Sequence, residues 1–185
     1  MNVTVDKTFP VAAAPLDAWR IMSDIAAVTP CLPGAEILEQ TGPTQYVGRM
    51  KVKLGPVSAA FKGTIDVVSL DATKRELVLQ AKGADAGGTS HAAMTLVASL
   101  SDAPGGTCLL TGHSEFTIGG KIANLGSRMV SQVSDQLLKT FAANFESRAS
   151  GKTDANAPAT SLDGIALGLG VLKASLGSLG KHEPK

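Results

Sequence analysis

Between Ala35 and Ile118 apolar and polar residues alternate in runs, and turn-forming residues separate one run from the next. Successive side chains of an extended strand point to opposite faces, so this pattern buries one face and wets the other. Tyr46, Gly48, Met50, Val52 and Leu54 share one face of an early run, with Arg49, Lys51 and Lys53 on the other. Gly55-Pro56 turns the chain into a second run, where Val57, Ala59, Phe61, Gly63, Ile65 and Val67 oppose Ser58, Lys62, Thr64 and Asp66. The residues Asp71-Ala72-Thr73-Lys74, Gly87-Gly88 and Pro104-Gly105-Gly106 mark the later turns. They bound runs whose apolar faces are Leu77, Leu79, Ala81 and Gly83, then Ala92, Met94, Leu96 and Ala98, then Leu110, Gly112, Ser114, Phe116 and Ile118. An antiparallel meander with one polar face follows, forming a single curved sheet.

The flanking segments are of a different kind. Val3 to Phe9 alternates like one more half-buried strand. Pro15 is placed at a helix start, and Leu16, Trp19, Ile21 and Met22 supply a short helical face. Ile25 to Thr29 adds a further turn, and Cys31-Leu32-Pro33-Gly34 reads as a rigid loop. After Gly119-Gly120 the period changes. Met129, Val133, Leu137, Phe141 and Phe145 recur every fourth residue, with Ile122, Leu125, Val130 and Leu138 beside them, predicting a helix from about Lys121 to Arg148. The expected fold is α+β: a curved antiparallel β-sheet wrapped around a long C-terminal helix, with residues 1–150 forming the domain.

The inward set contains many small residues: Gly48, Ala59, Gly63, Ala81, Gly83, Ala92, Ala98, Gly112 and Ser114. Protein interiors are packed to crystal-like density, so such a lining either bends the sheet onto its helix or leaves room for a guest. The expectation is an apolar cavity. The candidate ligand-binding residues are Tyr46, Met50, Phe61, Met94, Leu96, Phe116, Met129, Val133, Leu137 and Phe141. No Lys, Arg, Asp or Glu stands among these positions, so the guest is expected to be a hydrophobic small molecule. The methionines suit an irregular ligand. Tyr46 and Ser114 are either polar contacts to its head or purely structural. His91 and His113 fall on the outward face, and no Ser/His/Asp set or phosphate-cradling motif is evident. No catalytic residue is assigned.

Charge narrows the choice of partners. Seventeen Lys and Arg stand against 16 Asp and Glu, a formal net charge of +1, so there is no basic excess to neutralise nucleic acid. Two cysteines, Cys31 and Cys108, cannot supply four ligands to a structural zinc or an iron–sulfur cluster, and no metal is expected. They could pair, but in a reducing cytoplasm they remain thiols packed as small hydrophobes. The N-terminus lacks the charged-then-apolar layout of a secretory signal, and no run of about 18 apolar residues suggests a transmembrane helix.

Three blocks of sequence carry a resemblance: Cys31-Leu32-Pro33-Gly34-Ala35-Glu36, then Gly55-Pro56-Val57 with Phe61-Lys62-Gly63, then Gly119-Gly120-Lys121-Ile122-Ala123 with Leu125-Gly126-Ser127-Arg128. In this order they resemble the G-subunit family of carbon monoxide dehydrogenase. That family lies within the helix-grip superfamily (START/Bet v 1-like, SRPBCC), which includes lipid-transfer and pollen-allergen-like domains. The resemblance covers roughly Met1 to Ser150. It implies a helix-grip fold, an accessory role beside a molybdenum-containing dehydrogenase, a respiratory quinone as bound ligand and recruitment of the enzyme to the membrane. Pro33, Gly34, Gly119 and Gly120 are read as shaping loops rather than touching a ligand.

Residues 151–160 lack apolar periodicity and read as a flexible linker, spanning at most about 33–36 Å. Leu162, Ile165, Leu169, Leu172, Leu176 and Leu179 then fall on one helical face of a tail over 161–185. Gly164, Gly168, Gly170, Gly177 and Gly180 weaken such a helix, at about 1 kcal/mol each against alanine. The tail is therefore expected to order only on a surface: the membrane, a partner or the domain itself. A cytoplasmic protein held peripherally at the inner face of the cell membrane is the expectation. Competing readings are a recruitment adaptor without ligand shuttling, a generic lipid-binding protein, and an enzyme acting on a polyketide- or steroid-like substrate.

Overall fold

A computed structural model describes residues 1–54 and 57–152. The expected tail over 161–185 and all but the first two residues of the linker lie outside that range, as does the Gly55-Pro56 turn. The chain forms β1 (Asn2–Val11), α1 (Pro15–Met22), α2 (Ile25–Val28), β2 (Ala35–Gly42), β3 (Gln45–Leu54), β4 (Val57–Asp71), β5 (Glu76–Asp85), β6 (Ser90–Ala103), β7 (Thr107–Gly120) and α3 (Ser127–Ala149). The strands make one seven-stranded antiparallel sheet in the order β1-β7-β6-β5-β4-β3-β2. The meander runs in sequence from β2 to β7, and β1 closes the far edge beside β7.

Register confirms the faces expected from alternation. Tyr46 pairs with Ile65, Ile65 with Ala81, Ala81 with Met94, Met94 with Phe116 and Phe116 with Val3. These form one transverse row of the inner face. The next row is Gly48, Gly63, Gly83, Ala92 and Ile118. Its glycines serve curvature rather than space. A Cβ on Gly63 would lie 1.9 Å from the Lys82 carbonyl oxygen and 2.5 Å from the Gly83 Cα, so backbone already fills the position. Gly48 and Gly83 are tight as well, with nearest atoms at 3.1 and 3.0 Å. The small residues are therefore of two kinds, and part of this row is a crease where strands bend onto one another.

The core is double. Val11, Ala18, Met22, Cys31, Leu77, Leu100, Cys108, Leu110 and Phe145 anchor one cluster, at the end where α1, α2 and the C-terminal half of α3 meet the sheet. Val3, Val5, Ile118, Ile122 and Val130 form a second cluster at the N-terminal end of α3. Both cysteines are free and fully buried, packed as small hydrophobes. Burial raises the Cys31 thiol to about 11, opposed by the charge of Arg148, and burial raises Cys108 as well.

Two local expectations are revised. The helix expected from about Lys121 divides into a 3-10 turn, Lys121–Leu125, and α3, because Gly126 adopts φ +82° between them. Only glycine enters that region cheaply, so the chain changes direction there. Leu16, expected on the apolar face of α1, is 66% exposed, and Ala18 and Met22 carry the buried face instead. At the far end Gly151 N donates to the Arg148 carbonyl and Lys152 N to the Ser147 carbonyl, so the head of the expected linker still closes α3.

Candidate functional site

α3 lies along the flanks of the sheet, against β1 and β3, and against α1 and the Thr29–Cys31 turn. The two flanks differ. On the β1 side Lys7 Nζ meets Asp135 Oδ1 at 2.9 Å, and Ala12 N donates to Glu146 Oε2 at 3.0 Å. Asn144 Nδ2 also donates to the Cys31 carbonyl at 3.0 Å, tying the helix to the Cys31–Gly34 loop. On the β3 side the helix borders a groove of about 180 Å³ lined by Val52, Lys53, Gln132, Val133, Gln136 and Leu137.

Seven of the ten candidate residues pack against one core or the other. Tyr46, Leu96 and Phe141 pack against the first cluster, with Phe141 stacked on Phe145 at a centroid distance of 5.7 Å. Phe61, Phe116, Met129 and Val133 pack against the second. Met50, Met94 and Leu137 belong to neither and are half-buried, as are Ile65, Ala81 and Ala92 on the same face. Not one of the ten is fully buried. Apolar side chains at the centre of a domain are normally sealed from water, whereas this middle is half-buried between two dry ends.

The site offers little charge. Ser114, half-buried between Leu96 and Val5 in the register, is the polar side chain on the inner face of β7. The Tyr46 hydroxyl accepts from Gln40 Nε2 at 3.4 Å and lies at the rim. Asp85, opposite Phe61, has inward parity but closes its own turn: Thr89 Oγ1 donates to it at 2.8 Å and Ser90 N at 2.8 Å. The hydrogen bond from Ser90 N chiefly holds its carboxyl below the usual range. Both sheet histidines are exposed on the outer face, as expected. Hydrogen bonding to Asp6 raises the His113 imidazole, with Glu115 on its other side. A larger concavity of about 310 Å³ also lies on that face, but its outward side chains, among them Asp66, Gln80, Lys82, Thr95 and Glu115, are polar. It does not offer the chemistry that an oily guest requires.

Sequence reasoning did not single out Val52, Gln132 and Gln136 as groove residues. The signal lay in strand length: β2 pairs with β3 only as far as Met50, so β3 runs on past its neighbour towards α3. The Pro33-Gly34 motif is structural. Pro33 is fully buried, and Gly34, at φ +84°, accepts from Lys51 N at 2.8 Å where a Cβ would lie 2.1 Å from the Lys51 carbonyl oxygen.

The fold is shared widely. A conserved protein from Geobacillus kaustophilus superposes with a TM-score of 0.73 at 19% identity, covering 81% of this chain and 97% of that one. The Zhui aromatase/cyclase from Streptomyces sp. R1128 gives 0.59 at 17% identity, covering 80% and 94%. A START superfamily protein from Mycobacterium smegmatis gives 0.55 at 20% identity, covering 81% and 99%. The helix-grip expectation is thereby met. No match to the sequence was found among curated proteins. Residues 8–150 match the family described as the G subunit of carbon monoxide dehydrogenase (CoxG).

Proposed function

The chain belongs to the CoxG family, the G subunits of carbon monoxide dehydrogenase, and from that premise we propose that it carries a respiratory quinone between the membrane and a molybdenum-containing dehydrogenase. One observation carries the reading: Met50, Met94 and Leu137 sit half-buried between two dry cores, among mostly apolar neighbours. A neutral ring with an apolar tail would complete that interior, with Ser114 and Tyr46 as the candidate polar contacts to its oxygens. The protein contributes no redox centre of its own in this scheme. The quinone takes two electrons and two protons at the enzyme and leaves as quinol. The tail over 161–185 would return the carrier to the membrane, through Leu162, Ile165, Leu169, Leu172, Leu176 and Leu179.

The groove of about 180 Å³ is smaller than the roughly 300–1,000 Å³ of small-molecule sites. Loading therefore requires α3 to swing away from β3 while its ties to β1 hold. Organic extraction of protein purified from quinone-rich membranes should yield quinone. Recovery of ligand-free protein in repeated preparations would defeat the carrier reading. A plug provides the complementary test, and Gly63 is not a usable site because backbone fills its Cβ position. Ala92→Phe, on the half-buried inner face, should abolish quinone recovery and electron transfer to the membrane while leaving the dehydrogenase bound. Intact transfer with the plug would favour a recruitment adaptor instead.

A further inference from the structure

The block Leu125-Gly126-Ser127-Arg128 takes no part in the lining, and Gly126 within it differs from the other positive-φ glycines beside it and at the far end of α3. Gly120, at φ +76°, is clamped, since a Cβ there would lie 2.0 Å from the Thr89 carbonyl oxygen. Gly151, at φ +71°, ends the helix, with Gly151 N donating to the Arg148 carbonyl and Lys152 N to the Ser147 carbonyl. Gly126, at φ +82° and ψ 153°, does neither. A Cβ there would meet nothing within 4 Å, and helix starts favour a side-chain cap over a left-handed backbone. Asp24 caps α2 in that way, accepting from Ala26 N at 2.9 Å and Ala27 N at 3.1 Å, whereas the 23 residues of α3 begin without a side-chain cap. The bonds across Gly126 are long: its N–H meets the Ala123 carbonyl at 3.3 Å, and Val130 N meets its carbonyl at 3.4 Å. The turn before it is fixed. Lys121 N donates to the Thr89 carbonyl at 3.0 Å, and the buried Ile122 donates from its N to Oγ of the buried Ser90 at 3.3 Å. The helix after it is held unequally, with Phe145, Arg148 and Ala149 buried in its last turns and Val130 buried in its first half.

We propose that Gly126 is the swivel on which the N-terminal half of α3 turns away from Val52 to open the groove, while the Lys121–Leu125 turn stays on the sheet. The solvent-exposed bridge between Lys7 and Asp135 is the contact about which the helix turns. The swivel deepens the proposed function and rests on its reading that a guest enters beneath α3. In the closed state the joint holds a conformation that glycine alone enters without strain. Opening carries it out of that region, so an alanine at 126 penalises the closed state alone. A detached first half, short and uncapped, frays readily, because helices of this length draw most of their stability from packing.

Hydrogen exchange on the ligand-free full chain tests the joint without a guest. In the native chain, amides from Gln132 to Leu137 should exchange with a weak dependence on urea, and those near Phe145 with the full dependence of global unfolding. Gly126→Ala should speed exchange from Gln132 to Leu137 by about tenfold and leave the amides near Ile122 and Phe145 unchanged. Gly151→Ala places the same methyl at a positive φ at the other end of the helix and should leave Gln132 to Leu137 unchanged. Trp19, the one tryptophan of the chain, packs against the first core, and its quenching by decylubiquinone follows loading. Release of decylubiquinone into excess phosphatidylcholine vesicles should be about tenfold faster in Gly126→Ala and unaltered in Gly151→Ala. Equal urea dependence along native α3, unchanged exchange in Gly126→Ala, or the same effect from both substitutions would overturn the swivel. Local opening in a protein whose Trp19 never responds to decylubiquinone would uphold the swivel and reject the quinone as its guest.

Discussion

Gly63 and Gly112 lie on the same inner face of the sheet and have opposite roles. At Gly63 an added Cβ would strike the Lys82 carbonyl oxygen, whereas at Gly112 the nearest atom, Leu96 Cδ1, is at an ordinary 3.8 Å. Gly63→Ala should therefore cost about 3 kcal/mol in urea unfolding. Gly112→Ala should fall between neutral and about 1 kcal/mol stabilising, since it narrows only the unfolded ensemble. Equal effects at the two positions would refute the crease. His113 makes a smaller, pH-dependent contribution across the β1–β7 pair, where it meets Asp6 on one side and Glu115 on the other. Its pKa is raised from the model-compound value of 6.5, so the contribution is complete below that value and disappears as pH climbs through the folded pKa. Melting temperatures of the native chain and His113→Gln should converge at alkaline pH and separate slightly at mildly acidic pH. The effect is expected to be small because the groups are solvent-exposed.

Two ends of α3 do different work. Phe145 is 0% exposed in the first core, and truncating it to alanine should cost about 3–5 kcal/mol. Leu137, two turns earlier, lines the groove, and Leu137→Ala should cost only about 1 kcal/mol in the empty protein, because no packed cavity is created. The same substitution should reduce quinone retention markedly. Hydrogen exchange provides a direct reading of the hinge motion: amides near Gln132 to Leu137 should slow on quinone binding, while those near Phe145 stay protected throughout. Uniform protection along α3 with and without ligand would show that the helix does not swing.

At the scale of the whole molecule, a guest that completes the half-buried middle would stabilise the fold by mass action. Added quinone should raise the melting temperature in proportion to the logarithm of its concentration, and Ala92→Phe should remove that dependence. Six of the seven strands, their faces and the capping helix were legible in the sequence because alternation and the four-residue stripe are local signals, and burial enforces each of them separately; β2, with two register shifts, has no clean alternation. The division of α3 from its preceding turn was not, because Gly126 at φ +82° interrupts a stripe that the pattern continues across. Of the candidate site, the shared face of the ten residues was readable from strand parity and the helical stripe, but their uneven packing was not. Whether a half-buried Met94 touches a neighbour depends on how far α3 stands from the strands, and no stretch of sequence encodes that distance.

Residue order alone determined which face each side chain takes, where the turns fall and to which family the chain is similar, since each depends on neighbours a few positions apart. The tertiary structure decided the rest. It showed that the glycine row at Gly48, Gly63 and Gly83 creates a bend rather than empty space, that the core divides in two, and that the open flank of α3 is the one along β3. These are outcomes of strand curvature and of unequal ties between the helix and the two flanks of the sheet, which arise only when distant segments meet.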